Sequence, residues 1–239
     1  VAKNNDIGVI VMEPIRDHEP KDNFLQKVKE IADRIEAVLI FDEVTIGWRL
    51  VNGGAHLKYG VNPDIAVFAK GMGNGYPMSA IIGSENVMQA AQTSFISSTY
   101  WTEKIGPVAA LATIKKLIGK KVIKHLDKMG ALLIKELKKT AKNNDIKLNV
   151  SGLPPLFNFS FDYKEAQAIR TLFTQEMLKR GVLAGSYVNI TYAVEKKHIK
   201  QYIKAASEVF AILRKAIEGK KVDKLLEGPI AHSGFKRLT

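Results

Sequence analysis

Three short, continuously apolar runs constrain the fold of this chain more than any other feature. They cover residues 7–12, 38–41 and 65–69 of the 239-residue sequence. Between the first two runs, apolar residues recur at helical spacing after Asn23, a residue type that favours the amino-terminal cap of a helix. Continuous apolar strands that alternate with a helix are typical of a parallel sheet with helices on both faces. The sequence therefore predicts an α/β fold with a mostly parallel sheet.

A domain boundary is predicted after residue 118. A helix expected from Pro107 to Ile118 ends where Gly119 interrupts its apolar pattern. We therefore assign residues 1–118 to one domain, which carries the three apolar runs. Residues 119–239 form a smaller C-terminal domain in this assignment.

The C-terminal domain is predicted to be α+β. Long amphipathic helical patterns alternate there with two strand-like runs, near residues 147–150 and 156–161. Two of the helices are expected to stop at Gly181 and Gly219, because glycine is the usual residue just beyond a helix carboxyl terminus. Helices packed on a small sheet satisfy this order of elements.

The chain is strongly basic. It has 36 lysine and arginine residues against 24 aspartate and glutamate residues, which gives a formal net charge of +12. The lysines mostly decorate amphipathic helices, and no aromatic-interleaved basic motif accompanies them. Solvated helix faces are therefore favoured over a nucleic-acid site, while a noncatalytic basic interaction module stays open as an alternative.

Composition also bears on location. The sequence has no cysteine and no apolar stretch long enough to span a bilayer, so we expect a cytoplasmic protein with no membrane partner. The five histidines lie far apart without metal-ligand spacing, and no metal site is expected. The chain starts at Val1 on folded-looking sequence, with neither a signal peptide nor an initiator methionine, which suggests a segment of a longer polypeptide.

Charged residues directly follow two of the apolar runs. Asp42 and Glu43 come after residues 38–41, and Lys70 comes after residues 65–69, where it opens a glycine-rich stretch. Because ligands of open α/β sheets bind at the carboxyl ends of the strands, these side chains are expected to project into one crevice. The spacing alone favours a structural ion pair. The chemical alternative is a lysine that forms a Schiff base with a cofactor aldehyde, beside an acid paired to a pyridinium nitrogen.

Two segments carry a family resemblance. Residues 41–49, FDEVTIGWR, and residues 62–71, NPDIAVFAKG, closely resemble the signature of the class III pyridoxal-phosphate-dependent aminotransferases. Within that class the chain looks most like the glutamate-1-semialdehyde 2,1-aminomutase branch, from residues 12–14 to the segment that begins at Gly228. Trp48 departs from the phenylalanine that is usual at its position. The resemblance implies that the first domain is part of a fold type I large domain.

The resemblance also implies roles for individual residues. Lys70 would hold pyridoxal 5'-phosphate as an internal aldimine, Asp42 would pair with its pyridinium nitrogen, and Val44 would pack against its ring. Thr99 matches the threonine that reaches the cofactor phosphate of the neighbouring subunit, beside the helix expected at Pro107. Three further residues are expected to contact the substrate or to support the site: Glu43, Ser98 and Tyr100.

The activity implied is amino-group transfer on a small amino- or carbonyl-bearing substrate. The enzyme would be an aminotransferase or a glutamate-1-semialdehyde-type aminomutase. A sugar or nucleotide-sugar aminotransferase of surface-polysaccharide biosynthesis is the alternative within this chemistry. The Thr99 match implies a homodimer with a shared active site. Because the chain matches only the second part of the family pattern, an amino-terminal half is expected in the same or another chain.

Overall fold

The structure, a computed structural model, describes residues 6–100 and 102–234. The chain divides into two compact units, Val1–His125 and Leu126–Thr239. Helix α6 (Val122–Asn143) carries the division between them. The domain boundary after residue 118 stays a prediction. No helix within the described ranges combines the length and the apolar content needed to cross a membrane.

The first unit contains a four-stranded sheet in the order β1-β2-β3-β4. Strands β1, β2 and β3 are mutually parallel, and β4 pairs antiparallel with β3. This mostly parallel sheet with its helices confirms the predicted α/β class. The elements of the unit are β1 (Val9–Met12), α1 (Phe24–Arg34), β2 (Val38–Asp42), α2 (His56–Tyr59), β3 (Ile65–Phe68), β4 (Ala80–Gly83), α3 (Glu85–Met88), α4 (Ala90–Thr93) and α5 (Ile105–Gly119).

One face of this sheet carries a packed core. Leu39 and Phe41 of β2 are completely buried, and they belong to one apolar cluster with Leu25 of α1. Phe68 of β3 is buried in a second cluster with Ala110 of α5. Because Phe41 and Phe68 lie on the same side of the pleated strands, helices α1 and α5 cover a single face.

The opposite face of the sheet is apolar but open. Val9 and Val11 of β1 are 51% and 64% exposed, and Ile81 of β4 is 59% exposed. Successive side chains of a strand point to opposite faces, so Val9 and Val11 alternate with the more buried Ile10 and Met12. This face therefore exposes apolar side chains that no described residue covers.

Helix α1 begins where the sequence predicts, but the cap differs. Asn23 has a left-handed φ of 55°, and its side chain makes no capping hydrogen bond. Its main-chain carbonyl instead accepts the amide of Lys27 at 3.0 Å. Left-handed backbone is one of the conformations that asparagine tolerates better than most residues, which accounts for its place at this turn.

The second unit contains a three-stranded antiparallel sheet in the order β5-β6-β7. Four phenylalanines form its centre, with ring centroids of neighbouring pairs between 5.5 and 6.4 Å apart: Phe159, Phe161, Phe173 and Phe210. All four are buried. The elements that follow α6 are β5 (Leu148–Leu153), β6 (Leu156–Phe161), α7 (Ala166–Lys179), β7 (Tyr187–Asn189), α8 (Lys196–Glu218) and a 3₁₀ turn (Asp223–Leu225).

Both predicted glycine stops lie just beyond a helix, but only one has the expected backbone. Gly181 follows α7 with a φ of 72°, the left-handed conformation that glycine adopts without steric cost. Gly219 follows α8 with a φ of −78°, and the left-handed residue there is Lys220.

Helix α7 also holds a buried carboxylate, Glu176. Lys179 and Arg180 donate to it at 2.8 and 3.2 Å, and Gln175 donates at 3.1 Å. Partial burial acts to raise the pKa of Glu176, but the hydrogen bonds from Lys179, Gln175 and Arg180 outweigh it and lower that pKa. The carboxylate is thus stabilised in its charged form.

Candidate active site

Lys70 lies two residues beyond the end of β3, at the carboxyl edge of the parallel strands. Its backbone has a φ of 38°, in the left-handed region that non-glycine residues rarely adopt. Turn hydrogen bonds on either side hold it there, from Met72 N to Ala69 O at 3.0 Å and from Asn74 N to Lys70 O at 2.8 Å. The side chain is exposed, and its Nζ donates to Oγ1 of Thr45 at 2.9 Å.

Asp42 is the last residue of β2 and pairs in register with Val67 of β3. It therefore lies at the same carboxyl edge as Lys70, as the sequence predicts. Its Oδ1 accepts the main-chain amide of Val44 at 2.9 Å. Within the described residues, no group donates a hydrogen bond to its Oδ2, which leaves one carboxylate oxygen available to a ligand.

The ion pair that the spacing alone favours is absent. Across the described ranges, no carboxylate oxygen lies within 4.0 Å of the Lys70 amine. Glu43 is turned away from the crevice and is completely buried. The charged groups at these strand ends are therefore not neutralised by one another.

Glu43 is held by the loop that precedes α2. Its Oε2 accepts the amide of Ala55 at 2.7 Å, and its Oε1 accepts the amide of His56 at 2.9 Å. Nδ1 of the same buried histidine lies 2.9 Å from Oε1. A buried carboxylate requires such partners, and here they fix the position of the residue beside Asp42. Its expected role near the substrate stays a prediction.

The segment between Asp42 and Arg49 is a tight loop. The amide of Gly47 donates to the carbonyl of Glu43 at 2.8 Å, and Nε of Arg49 donates to the carbonyl of Thr45 at 2.8 Å. Burial lowers the pKa of the Arg49 guanidinium. The loop thus presents its side chains from a fixed backbone.

Two other side chains of this loop, Val44 and Trp48, are partly buried. Trp48 has a φ of 63° and packs against the cluster that contains Phe68 and Met72. Its indole Nε1 is buried and has no hydrogen-bond partner among the described residues.

The segment before α5 carries the remaining predicted residues. Ser98, Thr99 and Tyr100 are exposed, and the amide of Tyr100 donates to Oγ of Ser98 at 3.1 Å. No hydrogen bond joins the three to Lys70 or Asp42 in the described part of the chain. Their expected roles stay predictions, and Trp101 lies outside the described residues.

The start of α5 differs from its prediction. The helix begins at Ile105 rather than Pro107. The carboxylate of Glu103 accepts the amides of Ile105 and Gly106, the second at 3.1 Å. Because an acidic side chain already occupies these amides, they do not form an open anion site in this structure.

An open groove of about 490 Å³ runs beside the glycine-rich stretch. Its lining is mostly apolar and includes Tyr76, Ile105 and Val108, together with Asn74. Neither Lys70 nor Asp42 belongs to this lining. The candidate site is therefore the open crevice at the strand ends and not this groove.

Sequence reasoning located Asp42 and Lys70 but missed Thr45, which contacts Lys70, and His56, which contacts Glu43. Thr45 lies inside the FDEVTIGWR segment, three residues after Asp42, yet its contact with Lys70 joins residues 25 positions apart. His56 is the first residue of α2, a helix of four residues that is too short to show a periodic pattern. The sequence pointed to Thr45 only through its place in the FDEVTIGWR segment.

The family comparison covers most of the chain. A sequence profile of the family described as Aminotransferase class-III matches residues 1–210. The chain is 29% identical over 228 residues to the 3-aminobutyryl-CoA aminotransferase of Cloacimonas acidaminovorans (strain Evry), covering 90% of this chain and 55% of that protein. It is 28% identical over 235 residues to the glutamate-1-semialdehyde 2,1-aminomutase of Wigglesworthia glossinidia brevipalpis, covering 89% and 54% respectively. The chain spans about half the length of the curated relatives it matches.

Solved structures share the fold. The FumI protein of Sphingopyxis sp. MTA144, solved in its PLP (pyridoxal phosphate) internal aldimine form, matches with a TM-score of 0.86 at 22% identity, over 94% of this chain and 56% of that one. An omega-transaminase from Sphaerobacter thermophilus matches with a TM-score of 0.77 at 21% identity, over 86% and 52%. The chain thus has the fold of about half of a fold type I transaminase. With a family profile that extends over residues 1–210, this chain belongs to the class-III aminotransferases.

Proposed function

We propose that the protein carrying this chain is a pyridoxal-phosphate-dependent enzyme of amino-group transfer, with Lys70 as the cofactor-binding lysine. One observation carries the proposal. An amine and a carboxylate that are not paired with each other lie at the carboxyl ends of the neighbouring parallel strands β3 and β2. Family membership and the names of the two relatives, an aminotransferase and an aminomutase, support the same chemistry.

The residues present fit pyridoxal phosphate. The Lys70 amine is bound only to a neutral hydroxyl, so no carboxylate competes for it among the described residues. Asp42 keeps one carboxylate oxygen without a donor, as a partner for a pyridinium N–H requires. Val44, partly buried in the same loop, offers an apolar surface for a flat ring. These three residues would hold the cofactor.

When bound, pyridoxal phosphate supplies an aromatic ring that accepts the electron pair left by cleavage of a bond to the substrate Cα. Asp42 would hold the proton on the pyridine nitrogen. Lys70, once displaced by an amino substrate, would take the proton from the substrate Cα and deliver it to the cofactor carbon. Glu43 and His56 would keep the Asp42 loop in place.

A dimer belongs to the same proposal, and so does an amino-terminal half carried by the same or another chain. Thr99 would serve the cofactor phosphate of a neighbouring subunit, which requires a two-fold dimer. Its exposure, and that of Ser98 and Tyr100, is compatible with contact to a second subunit. Sedimentation of the complete protein tests this point, and a monomer that retains the cofactor would contradict it.

Borohydride trapping tests the central assignment. The full-length protein is reduced with borohydride in the presence of pyridoxal phosphate. It is then digested and its peptides are mapped by mass spectrometry. We expect the reduced cofactor on the Lys70 peptide and its loss in Lys70→Gln. Lys115→Gln, on α5, is the matched control and should label normally. Label on another lysine, or none with the cofactor present, would defeat the assignment.

The substrate is proposed only by class. Amino acids, amino aldehydes and related carbonyl compounds fit both an aminotransferase and an aminomutase, which a panel of donors and acceptors separates. The sugar aminotransferase alternative gains no support from the relatives compared above. If the chain were instead a noncatalytic basic interaction module, the protein would bind nucleic acid tightly and in a salt-sensitive way, and it would show no visible cofactor absorbance.

A further inference from the structure

The contact between Thr45 and Lys70 is the one polar contact made by the lysine amine within the described residues. Its N–O distance is 2.9 Å, which is normal for a hydrogen bond from an amine to a hydroxyl. Thr45 is partly buried, whereas Lys70 is exposed. The exposed amine is therefore hydrogen-bonded to a side chain that is less exposed.

Three hydrogen bonds hold the backbone around Thr45. The preceding residue, Val44, is tied through its amide to Oδ1 of Asp42, and the carbonyl of Thr45 accepts Nε of Arg49. The turn is closed by the hydrogen bond from Gly47 N to Glu43 O. Because threonine is β-branched, its χ1 has few choices once the backbone is set. The hydroxyl therefore has a defined position beside the Lys70 amine.

A lysine side chain has four rotatable bonds above its Cα, and ordering it costs up to about 2 kcal/mol of rotamer entropy. One hydrogen bond at its end offsets part of that cost and keeps the amine at the crevice. The identity of the partner also matters. A carboxylate would favour the charged ammonium, which cannot attack a carbonyl, whereas a hydroxyl can accept from the ammonium or donate to the neutral amine.

We propose that Thr45 is a positioning residue, which holds the free Lys70 amine in the orientation that captures the cofactor aldehyde. This inference rests on the proposed function of Lys70. In capture, the nitrogen of the neutral amine forms the bond to the aldehyde carbon, and the aldehyde oxygen leaves as water with the two amine hydrogens. Thr45 takes no covalent part and acts by limiting the positions of the amine.

The test compares Thr45→Val, which keeps the β-branched shape and loses the hydroxyl, with Thr45→Ser, which keeps the hydroxyl. Cofactor is removed from the complete protein, pyridoxal phosphate is added, and the rise of visible absorbance is followed by stopped flow. We expect capture to be about tenfold slower in Thr45→Val and within about twofold of the parent in Thr45→Ser. Thr93→Val, which removes an exposed hydroxyl on α4, is the matched control and should leave the rate unchanged.

The outcomes separate the two proposals. If the parent protein gives no label on Lys70 after borohydride reduction, the proposed function fails. If the parent labels and Thr45→Val captures the cofactor at the parent rate, only the role of Thr45 fails. Equal slowing in Thr45→Val and Thr45→Ser would assign Thr45 a purely structural role and overturn the inference. Amide hydrogen exchange across residues 42–49 checks that the loop remains folded in each variant.

Discussion

The two units of this chain differ in how completely their helices cover the sheet. In the second unit, α7 and α8 bury four phenylalanines against an antiparallel sheet, and the centre is closed. In the first unit, α1 and α5 cover one face of a mostly parallel sheet, and the other face leaves Val9, Val11 and Ile81 more than half exposed. The candidate site residues Asp42 and Lys70 belong to the first unit, whose sheet has one exposed face.

The difference shows what each unit requires from the sequence. An antiparallel sheet with one packed face needs alternating side chains, and it can be satisfied by its own helices. Parallel strands that are apolar on both sides need two covered faces, and the residues described here cover only one. This agrees with a chain that spans about half the length of its relatives.

The largest expected effect lies in the closed core. Phe173 is completely buried and contacts three other aromatic rings. Phe173→Ala should therefore reduce the free energy of unfolding by about 4 kcal/mol. Amide hydrogen exchange should show the loss of protection in β6, α7 and α8. Leu183→Ala, at an exposed position of the same unit, is the control and should cost less than about 0.5 kcal/mol. Equal losses in both variants would mean that the aromatic centre is not the stabilising core.

A pair of substitutions on the two faces of the first sheet tests its asymmetry. Leu39→Ala, on the covered face, should cost about 3 kcal/mol because it leaves a cavity among buried residues. Val11→Thr, on the open face, keeps the β-branched shape and should cost less than about 0.5 kcal/mol. Urea denaturation of the chain described here measures both. A loss above about 1 kcal/mol for Val11→Thr would show that this face is covered in solution.

The smallest expected effect depends on pH and belongs to the second unit. The pKa of Glu176 is lowered in the folded protein, so its stabilising contribution is complete above the ordinary glutamate pKa of 4.5 and is lost as the pH falls through the lowered value. Glu176→Gln should reduce stability by about 1 kcal/mol at pH 7 and by less at pH 3, which lies below the ordinary glutamate pKa. Glu165→Gln, an exposed neighbour, serves as the control. An equal loss at both pH values would assign the effect to packing.

The sequence predicted the regular parts of the fold well. The run at residues 156–161 coincides with β6, and the three apolar runs of the first unit became β1, β2 and β3. Strand β4 was not predicted; unlike the other three strands of its sheet, it has three exposed residues out of four. Local apolar patterns determine buried strands, whereas an exposed edge strand depends on its partner.

The site was predicted in part for the same reason. Asp42 and Lys70 end apolar runs, so their common edge follows from sheet topology alone. The side chains that contact Glu43 and Lys70 are positioned by loop geometry, and no periodic pattern in the sequence predicts these contacts. Thr45 contacts Lys70, whose backbone is left-handed, and His56 contacts Glu43 from the first residue of α2. Such contacts are set by backbone geometry that residue types alone do not specify.

The left-handed backbone at Lys70 has a consequence for how this position is maintained. A side chain with a Cβ is disfavoured in that conformation by roughly 1–2 kcal/mol relative to glycine, and glycines already follow at positions 71, 73 and 75. Folding alone would therefore prefer a fourth glycine here. The lysine therefore costs stability at this position, and the cofactor-binding role proposed for its amine would account for its presence there.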